Sequence, residues 1–176
     1  MKIVYAECFR VLKTGRHYCV VIRDVTKERV TYPLHCNTIS LMDQIGFNLE
    51  EMKYVLLLSH AHYDYVLIFR KGDPIGQWKM VDKYDEPFWD MRRMRDTMGD
   101  HPAAFITAIP RVLIGKLSKP GEMVLDPFGG TGSTAVACKS LNRDYIYMEL
   151  NPEYSVIATD RLAKAKPGLN SFMGRD

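Results

Sequence analysis

The sequence predicts an α/β fold, and three stretches carry that prediction: a short amphipathic helix running through glycine into a strand near the N-terminus, an apolar hairpin in the middle, and a strand, glycine turn, helix and second strand near the C-terminus. At 176 residues the chain is long enough for one domain with a sizeable core. Hydrophobic residues at 47% and charged residues at 26% are the balance of a globular protein rather than of a disordered or membrane chain. A net charge of +3 permits a nucleic-acid partner without demanding one. The four cysteines, Cys8, Cys19, Cys36 and Cys138, stand far apart without CxxC pairing, so they read as small buried hydrophobes rather than as a disulfide frame or zinc knuckle. The N-terminus has neither a long apolar run nor a small-residue cleavage site, and no later stretch is long enough to span a bilayer, so the default expectation is a cytoplasmic protein.

Ile3, Val4, Cys8, Val11 and Leu12 recur at helical spacing, and Lys13-Thr14-Gly15 supplies a basic last turn and a stop. His17 to Arg23 is a β-branched and aromatic run that reads as a buried strand. Leu34 to Gly46 reads as a second helix, and Met52–Leu58 with Tyr65–Arg70 as the hairpin, which closes at Gly72-Asp73-Pro74. From 74 to 100 aromatics, methionines and charges of both signs follow no clean period, over a length unusual for a connector. A helix over Ala108–Leu117 stops at Lys119-Pro120-Gly121. Met123 to Cys138 reads strand, glycine turn, helix; Tyr145–Glu149 is the next strand, and Asn151-Pro152-Glu153 caps a last helix to about Ala165.

The glycine turn is the strongest functional signal. A strand entering a glycine-rich turn and then a helix gathers backbone N–H groups and the positive helix end at one point, which suits an anionic or zwitterionic ligand. Gly129, Gly130 and Gly132 let the backbone approach that ligand, Asp126 at the strand end can accept from an ammonium, and Glu149 is placed to take both hydroxyls of a ribose. The pair implies a nucleoside cofactor. Gly130 to Ala135 also fits the GxGxxA pattern of nicotinamide and flavin sites, although little chain remains for a doubly wound domain, and no lysine follows the glycines as a P-loop requires.

The stretch from Lys119 to Thr134, together with Tyr147 to Tyr154, resembles the cofactor motifs of N4-cytosine and N6-adenine DNA methyltransferases in order and spacing. His101 to Phe105, Glu7 to Gly15 and Tyr65 to Gly72 resemble further segments of the family branch in which the cofactor motifs come last. The resemblance implies a class I S-adenosylmethionine-dependent methyltransferase (Rossmann-like) fold, permuted, in one domain over 1–176. Within it, 1–73 would form the substrate-side half of the sheet, 74–100 a target-recognition loop and 101–165 the cofactor-binding half. It also implies that Phe128 lines the adenine pocket, that Asp126 and the turn Gly129-Gly130-Thr131-Gly132-Ser133 hold the methionine part of S-adenosyl-L-methionine, and that Glu149 holds the ribose. Asn151 and Phe105 are further cofactor candidates. The substrate implied is DNA, methylated at adenine N6 or cytosine N4 as in restriction–modification.

Such chemistry needs a Pro-Pro-aromatic loop whose oxygens hold the target amine and whose ring stacks on the flipped base. The 176 residues contain no Pro-Pro dipeptide. The family places that loop before the segment resembling Glu7 to Gly15, on a strand between those ending at Asp126 and Arg23. The expectation is therefore a chain truncated at its N-terminus, with an incomplete central sheet, no catalytic residue of its own, and a need for completion by another segment or chain. Two alternatives stand beside it. One is a non-catalytic remnant that binds S-adenosylmethionine or DNA. The other is a metallo-β-lactamase-like hydrolase, suggested by the HxHxD pattern His60, His62, Asp64. In the 74–100 segment, Lys79, Lys83, Arg92, Arg93 and Arg95 interleaved with Trp78, Tyr84, Phe88 and Trp89 suit phosphate contact and base stacking, while equally frequent acids suit a solvated loop.

Overall fold

The computed structural model describes residues 1–56, 63–73, 86–90 and 107–168, which fall into two compact units, Met1–Arg93 and Met94–Asp176. Among the described residues no helix is long and apolar enough to cross a membrane.

The first unit runs α1 (Lys2–Val11), β1 (His17–Ile22), β2 (Val25–Lys27), β3 (Val30–Tyr32), α2 (Leu34–Ile45), β4 (Phe47–Leu56), β5 (Tyr63–Lys71) and β6 (Phe88–Asp90). Its main sheet has the order β1-β5-β4-β6. β5 lies antiparallel to both β1 and β4, so those two strands run the same way on either side of it. Its apolar residues explain the central place: Val66, Leu67, Ile68 and Phe69 are consecutive and all buried, which an alternating surface strand cannot achieve. Tyr5 of α1, Met42 of α2, Phe47 of β4, and Leu67 and Phe69 of β5 form the core, with Phe47 ringed by Phe9, Tyr18 and Phe69.

Several expectations are corrected here. In α1 the buried residues are Tyr5 and Cys8, with Phe9 and Leu12 packed against the core, while Ile3 and Val11 face solvent. The aromatic rings, larger than Ile or Val, claim the core face. β1 is half-buried along its whole length because it ends the sheet, with no strand of its unit beyond it among the described residues. β4 starts at Phe47, five positions before the expected Met52, directly after Gly46 ends α2 in the left-handed conformation. A register shift between Leu49 and Glu51 breaks the alternation that would have revealed this half of the strand. The β2–β3 hairpin was not expected, because its turn residues Glu28 and Arg29 both take positive φ without the usual Asn-Gly or Asp-Gly. The irregular 74–100 segment contains a strand after all, β6, which pairs parallel to β4. Of the cysteines, Cys8 and Cys138 are buried as expected, but Cys36 is exposed. Burial pushes the Cys19 and Cys138 thiols up to about 12.

The second unit runs α3 (Ala108–Leu117), β7 (Met123–Asp126), α4 (Ser133–Ser140), β8 (Asp144–Tyr147) and α5 (Pro152–Lys164). β7 and β8 pair in parallel, Met123 with Asp144 through Asp126 with Tyr147, and α4 is the crossover that parallel strands require. Ile114, Ala137 and Cys138 form a small core with Val124 and Leu141. α5 begins at Asn151, whose side-chain oxygen accepts from the Glu153 N–H at 3.0 Å, with Pro152 at the first helical position.

The C-terminal carbonyls of α1 are satisfied by Lys71 at the end of β5, rather than by the local basic turn. Its ammonium donates to the Phe9 carbonyl at 2.6 Å and the Leu12 carbonyl at 2.8 Å, and lies 4.6 Å from the Phe9 ring centroid. Lys71→Met keeps the stem and removes both bonds. It is expected to lower stability by about 2 kcal/mol, the order of losing charge-assisted bonds to helix carbonyls, read as a lower urea midpoint of the full chain. An unchanged midpoint would show that water caps α1 equally well.

Candidate functional site

The parallel register brings the carboxyl ends of β7 and β8 side by side, so the loops 127–132 and 148–151 leave the sheet together. The ladder continues past the strands: the Met148 N–H donates to the Asp126 carbonyl at 3.0 Å, and the Gly129 N–H to the Met148 carbonyl at 2.8 Å. Ligands of open α/β sheets bind in the crevice outside these strand ends.

Glu149 stands two residues beyond the end of β8 rather than on it, and its carboxylate joins the two loops. One oxygen accepts from the Gly130 N–H and the other from the Asn151 N–H, both at 2.8 Å. The backbone N–H groups of Asn151 and Gly130 hold its carboxyl below the usual range, so it stays ionised at neutral pH. Each oxygen has a second lone pair, so the carboxylate can still take hydroxyls. Asp126 accepts the Phe128 N–H at 3.0 Å, a local turn that sets the direction in which the chain leaves β7. Phe128 itself is 53% exposed, so its ring is not part of the core.

The glycines have separate reasons. A Cβ on Gly129 would lie 2.2 Å from two ring carbons of Tyr147. Gly132 has φ +84° and would meet the Ala158 Cβ at 2.8 Å, so the turn rests on α5. Gly130, at φ +51°, would point a Cβ into open space, with only the Phe128 carbonyl oxygen at 3.9 Å.

Two side chains that sequence reasoning did not single out shape this turn. Tyr147 covers Gly129, and its hydroxyl donates to the Gly130 carbonyl at 2.6 Å. Arg161, only 8% exposed, donates from α5 to the Thr131 carbonyl at 2.8 Å, the Thr131 hydroxyl at 2.9 Å, the Ser133 hydroxyl at 3.1 Å and the Thr107 hydroxyl at 3.0 Å. The available signal was a charged residue three positions after Ala158 and four before Ala165, in the middle of the buried stripe. Thr131 and Ser133 therefore turn their side chains toward Arg161, and Asn151 serves as the cap of α5. Phe105 lies outside the described residues.

Elsewhere, Asp64 of the HxHxD pattern is committed to Arg23, whose Nε and Nη2 donate to its two oxygens. His60 and His62 lie outside the described residues, and no group of metal-binding side chains is found among the described ones. Of the aromatics offered for base stacking, Trp89 is buried at 3% beside the Lys53 ammonium, and Phe88 is 46% exposed. Burial removes Trp89 from that role, because its ring is part of the packing of β6 on β4. Trp78, Lys79, Lys83, Tyr84, Arg92, Arg93 and Arg95 lie outside the described residues.

A parallel βαβ unit with a glycine turn, an exposed aromatic and an acid at or just past the end of each strand, in a chain that also forms a sheet whose antiparallel strand sits between two parallel ones, is consistent with a class I S-adenosylmethionine-dependent methyltransferase fold. The model of the N6/N4 DNA methylase family matches residues 1–160, and the chain belongs to that family. It is 34% identical to the type II methyltransferase M.SmaI of Serratia marcescens over 65% of this chain and 39% of that protein. To M.MjaI of Methanocaldococcus jannaschii it is 30% identical over 90% of this chain and 65% of that protein, so it spans less than two thirds of either relative. Among solved structures it resembles TTHA0409 of Thermus thermophilus, assigned as a DNA modification methylase, with 26% identity and a TM-score of 0.78 over 96% of this chain and 78% of that one. The complex of TTHA0409 with S-adenosyl-L-methionine gives a TM-score of 0.77.

The fit of Tyr147 over Gly129 gives a test. Gly129→Ala forces the ring aside and breaks its bond to Gly130, and is expected to cost about 1–3 kcal/mol, as overpacking does. Tyr147→Ala should remove most of that penalty in a double-mutant cycle measured by urea unfolding. Additive effects would show that the two residues do not meet.

Proposed function

We propose that this chain is the S-adenosylmethionine-binding part of a site-specific DNA methyltransferase acting on adenine N6 or cytosine N4. The observation that carries this reading is one loop that follows Asp126, exposes Phe128, leaves the Gly130 position open and donates the Gly130 N–H to the Glu149 carboxylate. These groups fit the cofactor part by part. Phe128 offers a face for the adenine, Glu149 acceptors for the ribose hydroxyls, and Asp126 an acceptor for the ammonium. The glycine turn offers close backbone approach for the methionine chain. When bound, the cofactor supplies an electrophilic methyl group on a sulfonium. The chain's own part is to hold that group still and to exclude alternative orientations.

Residues 1–176 form one methyltransferase domain on this reading, with DNA met by the 74–100 segment, and the protein works in the cytoplasm where DNA and cofactor are present. The amine-holding Pro-Pro-aromatic loop is absent from these 176 residues. Catalysis therefore draws it from further residues of the same polypeptide or from a complementing chain. An open edge supports this. β7 pairs only with β8 in its unit, and β1 only with β5 in its own, among the described residues, and unpaired edges are templates for another strand.

Calorimetry of the full chain should show S-adenosylmethionine binding, weakened about tenfold by Phe128→Ala, the order of one lost aromatic contact. Labelled cofactor and DNA should give no methyl transfer until a segment bearing the Pro-Pro-aromatic loop is added, fused upstream or as a separate polypeptide. Transfer by the 176 residues alone would overturn the requirement for that segment. Binding that never leads to transfer, even with the segment present, would favour a non-catalytic remnant. No binding at all would overturn the cofactor reading.

A further inference from the structure

We infer that Arg161 is a positioning residue that makes the glycine turn select ligands carrying a free carboxylate. This deepens the cofactor reading above and rests on it.

The argument starts from donors and acceptors. A guanidinium only donates. Arg161 Nη1 donates to the Thr131 carbonyl at 2.8 Å and the Thr131 hydroxyl at 2.9 Å, and shares its two hydrogens with the Ser133 hydroxyl at 3.1 Å, so both Thr131 oxygens face the guanidinium as acceptors. The Thr131 hydroxyl proton must then point away from Arg161. Thr131 is half-buried at the middle of the glycine turn, one residue before the Gly132 that caps α4. An outward O–H at that place is a donor aimed at whatever anion the turn receives. Without Arg161 the same hydroxyl could rotate and present a lone pair, which would repel a carboxylate.

The second part of the argument is charge. Arg161 is always protonated, is 8% exposed, and lies beneath the turn rather than in solvent. Its field is poorly screened there, and it adds to the positive end of α4. Its bond to Thr107, just before α3, and its contact with the turn also anchor the guanidinium at both ends, so it cannot swing out to bind the ligand itself. Arg161 thus acts through Thr131 and through its charge. A neutral ligand end at the turn gains from neither.

The chemistry distinguishes two probes that share the adenosine half. S-adenosylhomocysteine carries the amino-acid carboxylate, and 5′-methylthioadenosine lacks it. The native chain should bind S-adenosylhomocysteine more tightly. In Arg161→Met and in Thr131→Val that preference should fall about tenfold, the order of one lost bond to a charged group, while the affinity for methylthioadenosine stays within about twofold of the native chain by the same scale of ordinary surface change. Thr131→Ser, which keeps the hydroxyl, should keep the preference, and Arg161→Lys, which keeps the charge without the fork, should keep part of it. Methylthioadenosine binding doubles as the check of folding. Should Arg161→Met fail to bind it, Thr131→Val and Thr131→Ser decide the matter. Equal weakening of both probes in Thr131→Val, or an unchanged preference in Thr131→Val, overturns the inference. Failure of the native chain to bind either probe overturns the cofactor reading instead.

Discussion

The carboxylate of Glu149 is the constraint on which the second unit is organised. Two backbone N–H groups, from Gly130 in the glycine turn and Asn151 at the start of α5, share it. The turn and the helix are far apart in sequence, yet one charged group fixes both. The consequences run outward from there. Holding Asn151 sets the cap that starts α5, and α5 then delivers Ala158 against Gly132 and Arg161 into the back of the turn. A loop rich in glycine would otherwise carry the largest conformational entropy of any segment. Here it is held from the front by an anion, from the side by Tyr147 and from behind by a cation. A binding site preorganised in this way loses little entropy when a ligand arrives.

The first unit solves a different problem with the same economy of residues. Its central strand β5 is apolar on both faces and is paired on both edges, and it brings Val66, Leu67, Ile68 and Phe69 into the interior in one run. The last residue of that strand, Lys71, then turns its ammonium back onto the end of α1. A single chain segment thereby sets the sheet and locks the first helix to it. Polar groups nearby are matched: Arg23 to Asp64, Lys53 to Glu51, and the His17 ring, whose pKa burial lowers, to Glu50 at 2.8 Å. Of these, the Arg23 to Asp64 pair joins the end of β1 to β5, and such a cross-strand pair favours the register that brings it together.

How much of this was legible follows from the range of each interaction. The helices α1, α2, α3 and α5 were readable because amphipathic spacing and caps are written locally, and α3 appears with the bounds expected of it. The strand, glycine turn and helix from Met123 onward were readable for the same reason. Phe128 and Asp126 emerge at the strand end where local pattern placed them. The missed features depend on partners distant in sequence. β6 is a strand because Tyr54 to Leu56 lie beside it, since Phe88, Trp89 and Asp90 have no period of their own. The first half of β4 was hidden by a register shift that only its pairing with β5 reveals. Thr131 and Ser133 are cofactor candidates by the family resemblance, and what no local pattern shows is that Arg161, about thirty positions later, donates to both hydroxyls. A residue that looks like a surface arginine on a helix becomes part of a site only once the helix is folded back.

That last case bears on how the family's cofactor motif works in this chain. A glycine turn alone is permissive, since it admits the backbone of a ligand and chooses little. Choice comes from groups whose polarity is fixed before the ligand arrives. Here the carboxylates of Asp126 and Glu149 are anchored by backbone N–H groups, and the Thr131 hydroxyl is anchored by a donor that can never accept. On the proposed reading the acceptors are the Asp126 and Glu149 carboxylates at and just past the ends of β7 and β8, and the exposed Phe128 ring stands on the loop between β7 and α4. S-adenosylmethionine carries its flat base at one end, the sugar hydroxyls in the middle and the amino-acid carboxylate at the far end, and on that reading these meet Phe128, Glu149 and the glycine turn. Recognition of such a ligand then rests, on the same reading, on groups already held by hydrogen bonds within the protein. It can be complete in this part of the fold even though the chemistry on DNA requires a loop that these residues do not supply.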